Sequence, residues 1–148
     1  MKNLTINIVT GTRHANFRKK EEKDFLSEIF EEKLASAYVD GLSDTKKMTL
    51  EIKDQNELIG SALIEVNGGL LKIEGFVLKS NYRGQGIGTK ALQKIESFAK
   101  KNGCHKMWLI TNPKLKAVRL YKRMGWNIEA KLRKNIAKFD ELLMCKFI

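Results

Sequence analysis

Asn81-Tyr82-Arg83-Gly84-Gln85-Gly86-Ile87-Gly88-Thr89 joins a strand-like run, Leu70–Leu78, to a run of helical period with Leu92, Ile95 and Ala99 on one face, supported by Ala91 and Phe98. The glycines at 84, 86 and 88 let the backbone come close to a ligand. They also expose successive N–H groups at a helix start, where partial positive charge favours an anion such as pyrophosphate. Arg83 adds a full charge. Two familiar phosphate loops do not fit. The dinucleotide fingerprint G-x-G-x-x-G, counted from Gly84, meets Thr89 where its third glycine should stand. The Walker loop ends in Gly-Lys-Ser/Thr, and here the residues are Gly88-Thr89-Lys90. What remains is Arg-x-x-Gly-x-Gly between a strand and a helix.

Downstream, Gly103 marks the end of that helix, which spans about Gly88 to Lys101. Lys106 to Ile110 is a compact apolar strand, and Asn112 and Pro113 sit at the N-cap and first turn of another helix. That helix carries Leu115, Val118, Tyr121 and Met124 and stops at Gly125; Trp126 to Ala130 and Glu141 to Phe147 read as late strands. Upstream, Met48 to Lys53, Leu58 to Val66 and Leu70 to Leu78 are separated by Asp54–Asn56 and Asn67-Gly68-Gly69, which suits antiparallel hairpins. Asn3 to Val9 alternates as a half-buried strand does. Lys20 to Leu42 predicts one amphipathic helix, broken near its end and stopped at Gly41, with Phe25, Leu26, Ile29, Phe30, Leu34, Ala37 and Tyr38 on its apolar face. The order β-α-β-β-β-α-β-α-β-β is that of an α/β chain. No Pro, Gly or Ser-rich linker divides it, so residues 1–148 are expected to form a single domain.

Apolar residues make up 43% and charged residues 30% of 148, which excludes wholesale disorder. No apolar run approaches the roughly 18–20 residues of a membrane span. The start, MKNLTINIVT, lacks the apolar stretch of a signal peptide, so a cytoplasmic location and no membrane partner are expected. Cys104 and Cys145 are the only cysteines and there are two histidines, too few for a disulfide framework or a four-ligand zinc site. No metal is expected. The net charge of +11 comes from 28 Lys+Arg against 17 Asp+Glu. It is carried mostly by lysines spread along the chain rather than by clustered arginines, which disfavours a nucleic-acid partner and leaves solvated surface plus one anionic ligand.

The loop resembles that of the Gcn5-related N-acetyltransferase (GNAT) superfamily, whose Arg/Gln-x-x-Gly-x-Gly/Ala pattern maps onto Arg83, Gly86 and Gly88, with Tyr82 and Ile87 also common choices. Leu120-Tyr121-Lys122-Arg123-Met124-Gly125-Trp126 matches the family's Leu-Tyr-x-x-x-Gly-Tyr/Trp, and Asn112 and Ala117 stand near its Asn-x-x-Ala. The likeness runs from about Leu50 to the C-terminus and extends to the element order. Two departures are visible: Lys79 and Ser80 replace a common acidic residue and proline, and Ala117 follows Asn112 by five residues, a looser spacing than the usual three.

The resemblance implies a GNAT fold, a mixed sheet of about six to seven strands flanked by helices. It implies transfer of an acetyl group from acetyl-coenzyme A to a primary amine by direct attack, without a covalent enzyme intermediate. By the same resemblance Arg83, Gly84, Gln85, Gly86, Ile87, Gly88 and Thr89 hold the pyrophosphate, while Phe76, Val77 and Leu78 face the pantetheine arm, with the Leu78 N–H as oxyanion donor. Asn112 bonds that arm or caps its helix. Tyr121 protonates the departing thiolate, a role open to a phenol because its pKa of about 10 keeps it protonated at neutral pH. Glu74, placed two residues before Phe76 and so expected on the same strand face, removes the amine proton; an ordinary carboxylate is too weak a base to do so unaided and needs burial or a water relay. The acceptor is a small-molecule or peptide amine, and because family members frequently pair, a homodimer is compatible with the reading. Competing readings are transfer of another acyl group, or a non-catalytic module binding coenzyme A or nucleic acid. Cys145 has no His or Asp partner placed by any motif, and His105, Trp108 and Trp126 read as structural.

Overall fold

In the computed structural model the described residues are 14–148, and the strand expected over Asn3–Val9 lies outside them. The alternating runs form β1 (Lys46–Asp54), β2 (Glu57–Asn67) and β3 (Leu70–Leu78), successive antiparallel neighbours. At the second turn Gly68 and Gly69 take φ of 55° and 78°, the left-handed pair that matches strand twist in a two-residue hairpin. A side chain at Gly69 would also meet the His105 ring at 2.7 Å, so His105 packs over the turn, and its N–H donates to the Gly69 carbonyl.

The glycine loop leads into α1 (Ile87–Lys101), followed by β4 (Lys106–Thr111), α2 (Ala117–Arg123), β5 (Asn127–Leu132) and β6 (Glu141–Phe147). The sheet order is β1-β2-β3-β4-β6-β5, with β3 and β4 parallel and the other neighbours antiparallel. Among the described residues this makes a mixed six-stranded sheet. Ala62, Ile64, Leu71, Ile73, Met107, Leu109, Leu142 and Met144 line one sheet face and pack with Leu92, Ile95 and Ala99 of α1 and Val118 and Tyr121 of α2. Both helices end as their glycines predict. Gly103 and Gly125 take φ of 70° and 83°, and the residues that follow, Cys104 and Trp126, donate back to the Ala99 and Tyr121 carbonyls.

One helix starts later than the sequence suggests. Asn112 Oδ1 accepts the Lys114 N–H at 2.9 Å, and turns through Leu115 and Lys116 precede the first α-helical residue, Ala117. Lys114 and Lys116 oppose the positive end of a helix dipole, which explains why regular helix begins only after them.

The chain divides into two compact units at Asp40/Gly41. In the first, the expected single helix is two, Ala15–Ser27 and Glu32–Ser43, and Gly41 lies inside the second rather than stopping it. The break falls where Glu28, Glu31 and Glu32 cluster: carboxylates oppose the negative end of a continuing helix, whereas a new start puts Glu32 in a favourable first turn. Lys19–Asp40 and Lys23–Glu32 ion pairs, at 2.7 and 3.7 Å, link the two helices. The expected apolar stripe is not the buried one: Phe25, Ile29, Phe30, Leu34 and Tyr38 are exposed, and Ala35 and Val39 are buried. No helix among the described residues is long and apolar enough to cross a membrane.

Candidate functional site

The site begins where two parallel strands part. β3 and β4 pair only at Leu70–Lys106, Leu71–Met107 and Lys72–Trp108, although β3 continues to Leu78 and β4 to Thr111. Six residues of β3 therefore run beside a gap. A bulge lies on the same stretch: Ser61 faces Val77 and Leu63 faces Glu74, so Ala62 stands opposite both Gly75 and Phe76. Gly75 takes φ of 58°, a backbone state that glycine adopts without penalty. The extra residue bends and twists β3 locally, which helps part it from β4.

The bulge also corrects the expected placement of Glu74. Phe76 packs on the core, whereas Glu74 shares the opposite face with Lys72 and Val77, because one added residue inverts the period-two alternation. The N–H of Lys79 donates to Ile59 at 2.8 Å, so Gly60–Leu78 is the alternate pair whose N–H groups point away from each other. The Leu78 N–H is thereby turned toward the gap, on the side from which β4 has withdrawn.

At the end of β3 a single 3₁₀ turn, Ser80–Tyr82, leads into the loop. Arg83 Nε donates to the Leu78 carbonyl at 2.8 Å, Gln85 Nε2 to the Asn81 carbonyl at 2.8 Å, and the Tyr82 hydroxyl to Asp54 at 2.9 Å. Lys79, the unusual residue here, pairs with Glu57. Gly84 and Gly86 take φ of 75° and 79°, and an added Cβ at either would meet no atom within 4 Å. The first hydrogen bond of α1 runs from the Lys90 N–H to the Gly86 carbonyl, and among the described residues the N–H groups of residues 84–89 have no acceptor. No side chain caps the helix and no acidic residue occupies its first turn. The result is an open row of N–H donors able to take an anion.

Tyr121 lies on α2 and packs into the core on the sheet face that this helix covers. Its ring is buried, tilted against Trp126 at 5.6 Å between centroids, and burial pushes the phenol pKa up. Its hydroxyl has no protein partner among the described residues, yet no buried polar atom is left unpaired, so the oxygen is not sealed in the core. It is a protonated donor with a free proton. Glu74 lies across the sheet, ion-paired with Lys72, whose ammonium also sits 5.1 Å from the Trp108 ring centre. The Glu74 side chain is 39% exposed, so water reaches its carboxylate. Phe76 and Leu78 are half-buried and Val77 exposed. Asn112 is committed through its Oδ1 to the turn before α2. Cys104 and Cys145 are buried thiols with pKa values raised by that burial, which disfavours the thiolate a nucleophile needs.

Sequence reasoning missed the bulge and the Lys72–Glu74–Trp108 cluster. A signal existed for the first, since an isolated glycine inside a strand pattern often marks a bulge; the cluster depends on register and had none.

The family model described as "Acetyltransferase (GNAT) family" matches residues 14–126. A curated relative, the "Uncharacterized N-acetyltransferase YobR" of Bacillus subtilis (strain 168), is 28% identical over 82 residues, which cover 55% of this chain and 33% of that protein. The match thus spans about a third of the relative's length. Among solved structures, an acetyltransferase from Bacillus cereus ATCC 14579 superposes with a TM-score of 0.69 at 19% identity, covering 97% of this chain and 98% of that one. An aminoglycoside 6'-N-acetyltransferase complexed with coenzyme A gives 0.61 at 18% identity, covering 96% and 97%. At these identities the likeness is one of fold.

Proposed function

Because the chain belongs to the acetyltransferase (GNAT) family, we propose that it transfers an acetyl group from acetyl-coenzyme A to a primary amine by direct attack in a ternary complex. The observation that carries the proposal is the row of acceptor-free N–H groups at residues 84–89, beside the gap between β3 and β4. The row suits a pyrophosphate, and the empty space above Gly84 and Gly86 lets it approach the backbone. Acetyl-coenzyme A supplies the activated acyl group as a thioester. Arg83 adds positive charge at the mouth of the gap, and the Leu78 N–H faces the place where a carbonyl oxygen would gain charge. Tyr121 supplies the proton that the departing sulfur requires. Glu74, on the opposite sheet face, receives the amine proton through water. In this reading base and acid lie on opposite faces of the sheet, which lets the amine and the leaving sulfur occupy different faces of the reacting carbon.

The same reading includes a cytoplasmic setting, in keeping with two unpaired cysteines. The test is incubation with acetyl-coenzyme A and a panel of polyamines, lysine peptides and N-terminal peptides, followed by thiol release and mass spectrometry. A product heavier by one acetyl group is expected. No thiol release with any acceptor, together with salt-sensitive binding of duplex DNA, would overturn the reading.

A further inference from the structure

Three side chains close the inner end of the gap on the sheet face turned away from α1 and α2. Lys72 and Trp108 form the last pair between β3 and β4, and Glu74 follows two residues on, where β3 has lost its β4 neighbour. The Lys72 ammonium is ion-paired with Glu74 and sits 5.1 Å from the Trp108 ring centre, which puts all three on one face. Ile110, the next residue of β4 on that face, is 38% exposed and extends the apolar strip from Trp108 along the gap. The wall of the gap is thus one cation, one carboxylate and two apolar side chains.

The Lys72–Glu74 pair is partly covered, with side chains 24% and 39% exposed. The other carboxylate beside Lys72, Glu65 on β2, is engaged by Lys47 at 2.8 Å, and the apolar Leu63 stands opposite Glu74. A ligand that draws Glu74 away therefore strands the Lys72 ammonium unless it brings an anion of its own. A plain amine supplies a cation for Glu74 and nothing for Lys72. An amine that also carries a carboxylate replaces both halves of the pair, its ammonium toward Glu74 and its carboxylate toward Lys72, and leaves no charge alone. Residues two apart on a strand are separated by about 7 Å, a span that the flexible lysine stem shortens to fit groups a few bonds apart.

Resting on the acetyltransferase reading above, we propose that the acceptor is a free amino acid with an apolar side chain, that Lys72 binds its carboxylate, and that Trp108 and Ile110 carry its side chain. Acceptor binding then frees Glu74 from Lys72 to take the amine proton. The test compares phenylalanine, phenylalaninamide and phenethylamine as acceptors for the wild type, Lys72→Met and Lys72→Arg, with thiol release giving kcat and KM and calorimetry giving coenzyme A affinity. For the wild type, kcat/KM with phenylalanine should exceed that with either of the others at least about tenfold, because only phenylalanine leaves Lys72 paired. Lys72→Met should lose that preference through a higher KM for phenylalanine, and Lys72→Arg should keep most of it, since a guanidinium also pairs with a carboxylate. Coenzyme A affinity should stay within about twofold in both variants, which a disrupted fold would not allow. Equal use of the three compounds by the wild type, an undiminished preference in Lys72→Met, or acetylation of polyamines or peptides with none of phenylalanine overturns the proposal. Absence of thiol release with every amine refutes the acetyltransferase reading instead.

Discussion

Replacing Gly86 by alanine tests the loop through a single backbone dihedral. Gly86 stands just before α1 with φ of 79° and ψ of −4°. A left-handed residue with a side chain costs about 1–2 kcal/mol. The added methyl meets nothing within 4 Å, so no packing clash enters the sum. Two responses are open to the chain. If it keeps the conformation, unfolding free energy drops by about 1–2 kcal/mol and the methyl stands in the space a ligand must enter. If it relaxes to a negative φ, the N–H row is lost and the penalty moves to binding. In either case coenzyme A affinity is expected to fall at least about tenfold, equivalent to about 1.4 kcal/mol. Gly86→Asn should be milder, because asparagine tolerates the left-handed region. Gly88→Ala is a different case: its dihedral is ordinary and its new Cβ presses only on the flexible end of Leu120 at 3.3 Å, so affinity should hardly move. Urea unfolding and calorimetric titration on the three variants supply both free energies. Wild-type stability and affinity in Gly86→Ala, or a larger affinity loss in Gly88→Ala, would refute the reasoning.

Tyr121→Phe should lower kcat about a hundredfold or more while coenzyme A affinity stays within about twofold, and a fully active variant would remove the hydroxyl from the mechanism. Because burial raises the Tyr121 pKa, the wild-type enzyme should show no loss of this proton donor below about pH 10. Glu74→Gln should depress kcat with little change in coenzyme A affinity; a fully active variant counts against a proton-accepting role. Glu96 is held below its ordinary value of 4.5, chiefly by the hydrogen bond from Lys146. Its contribution to stability is therefore present above the unfolded-state value and is lost as pH falls below about 4.5 toward the folded one. Urea melts at pH 7 and pH 3 should show a smaller acid-induced loss in Glu96→Gln than in the wild type; equal losses would contradict the pairing.

Much of this molecule was legible in one dimension, where the physics is local. Alternation fixed the three hairpin strands, the i, i+3, i+4 spacing of Leu92, Ile95 and Ala99 fixed the face of α1, and Gly103 and Gly125 ended both core helices through left-handed turns that other residues enter at a cost. The glycine loop could be placed before a helix because nothing beyond its own glycines and neighbours is needed to make a row of free N–H groups. Electrostatics decided what periodicity could not: the glutamates at 28–32 split one expected helix into two, and Lys114 with Lys116 delayed the start of α2.

By itself, then, the sequence determined the order of elements from the first hairpin strand onward, the glycine loop and which residues are candidates for acid and base. Only tertiary structure decided how these meet. The gap between β3 and β4 exists because their register ends at Lys72–Trp108, and Glu74 lies across the sheet from Phe76 because one extra residue at Gly75 inverts the strand's alternation.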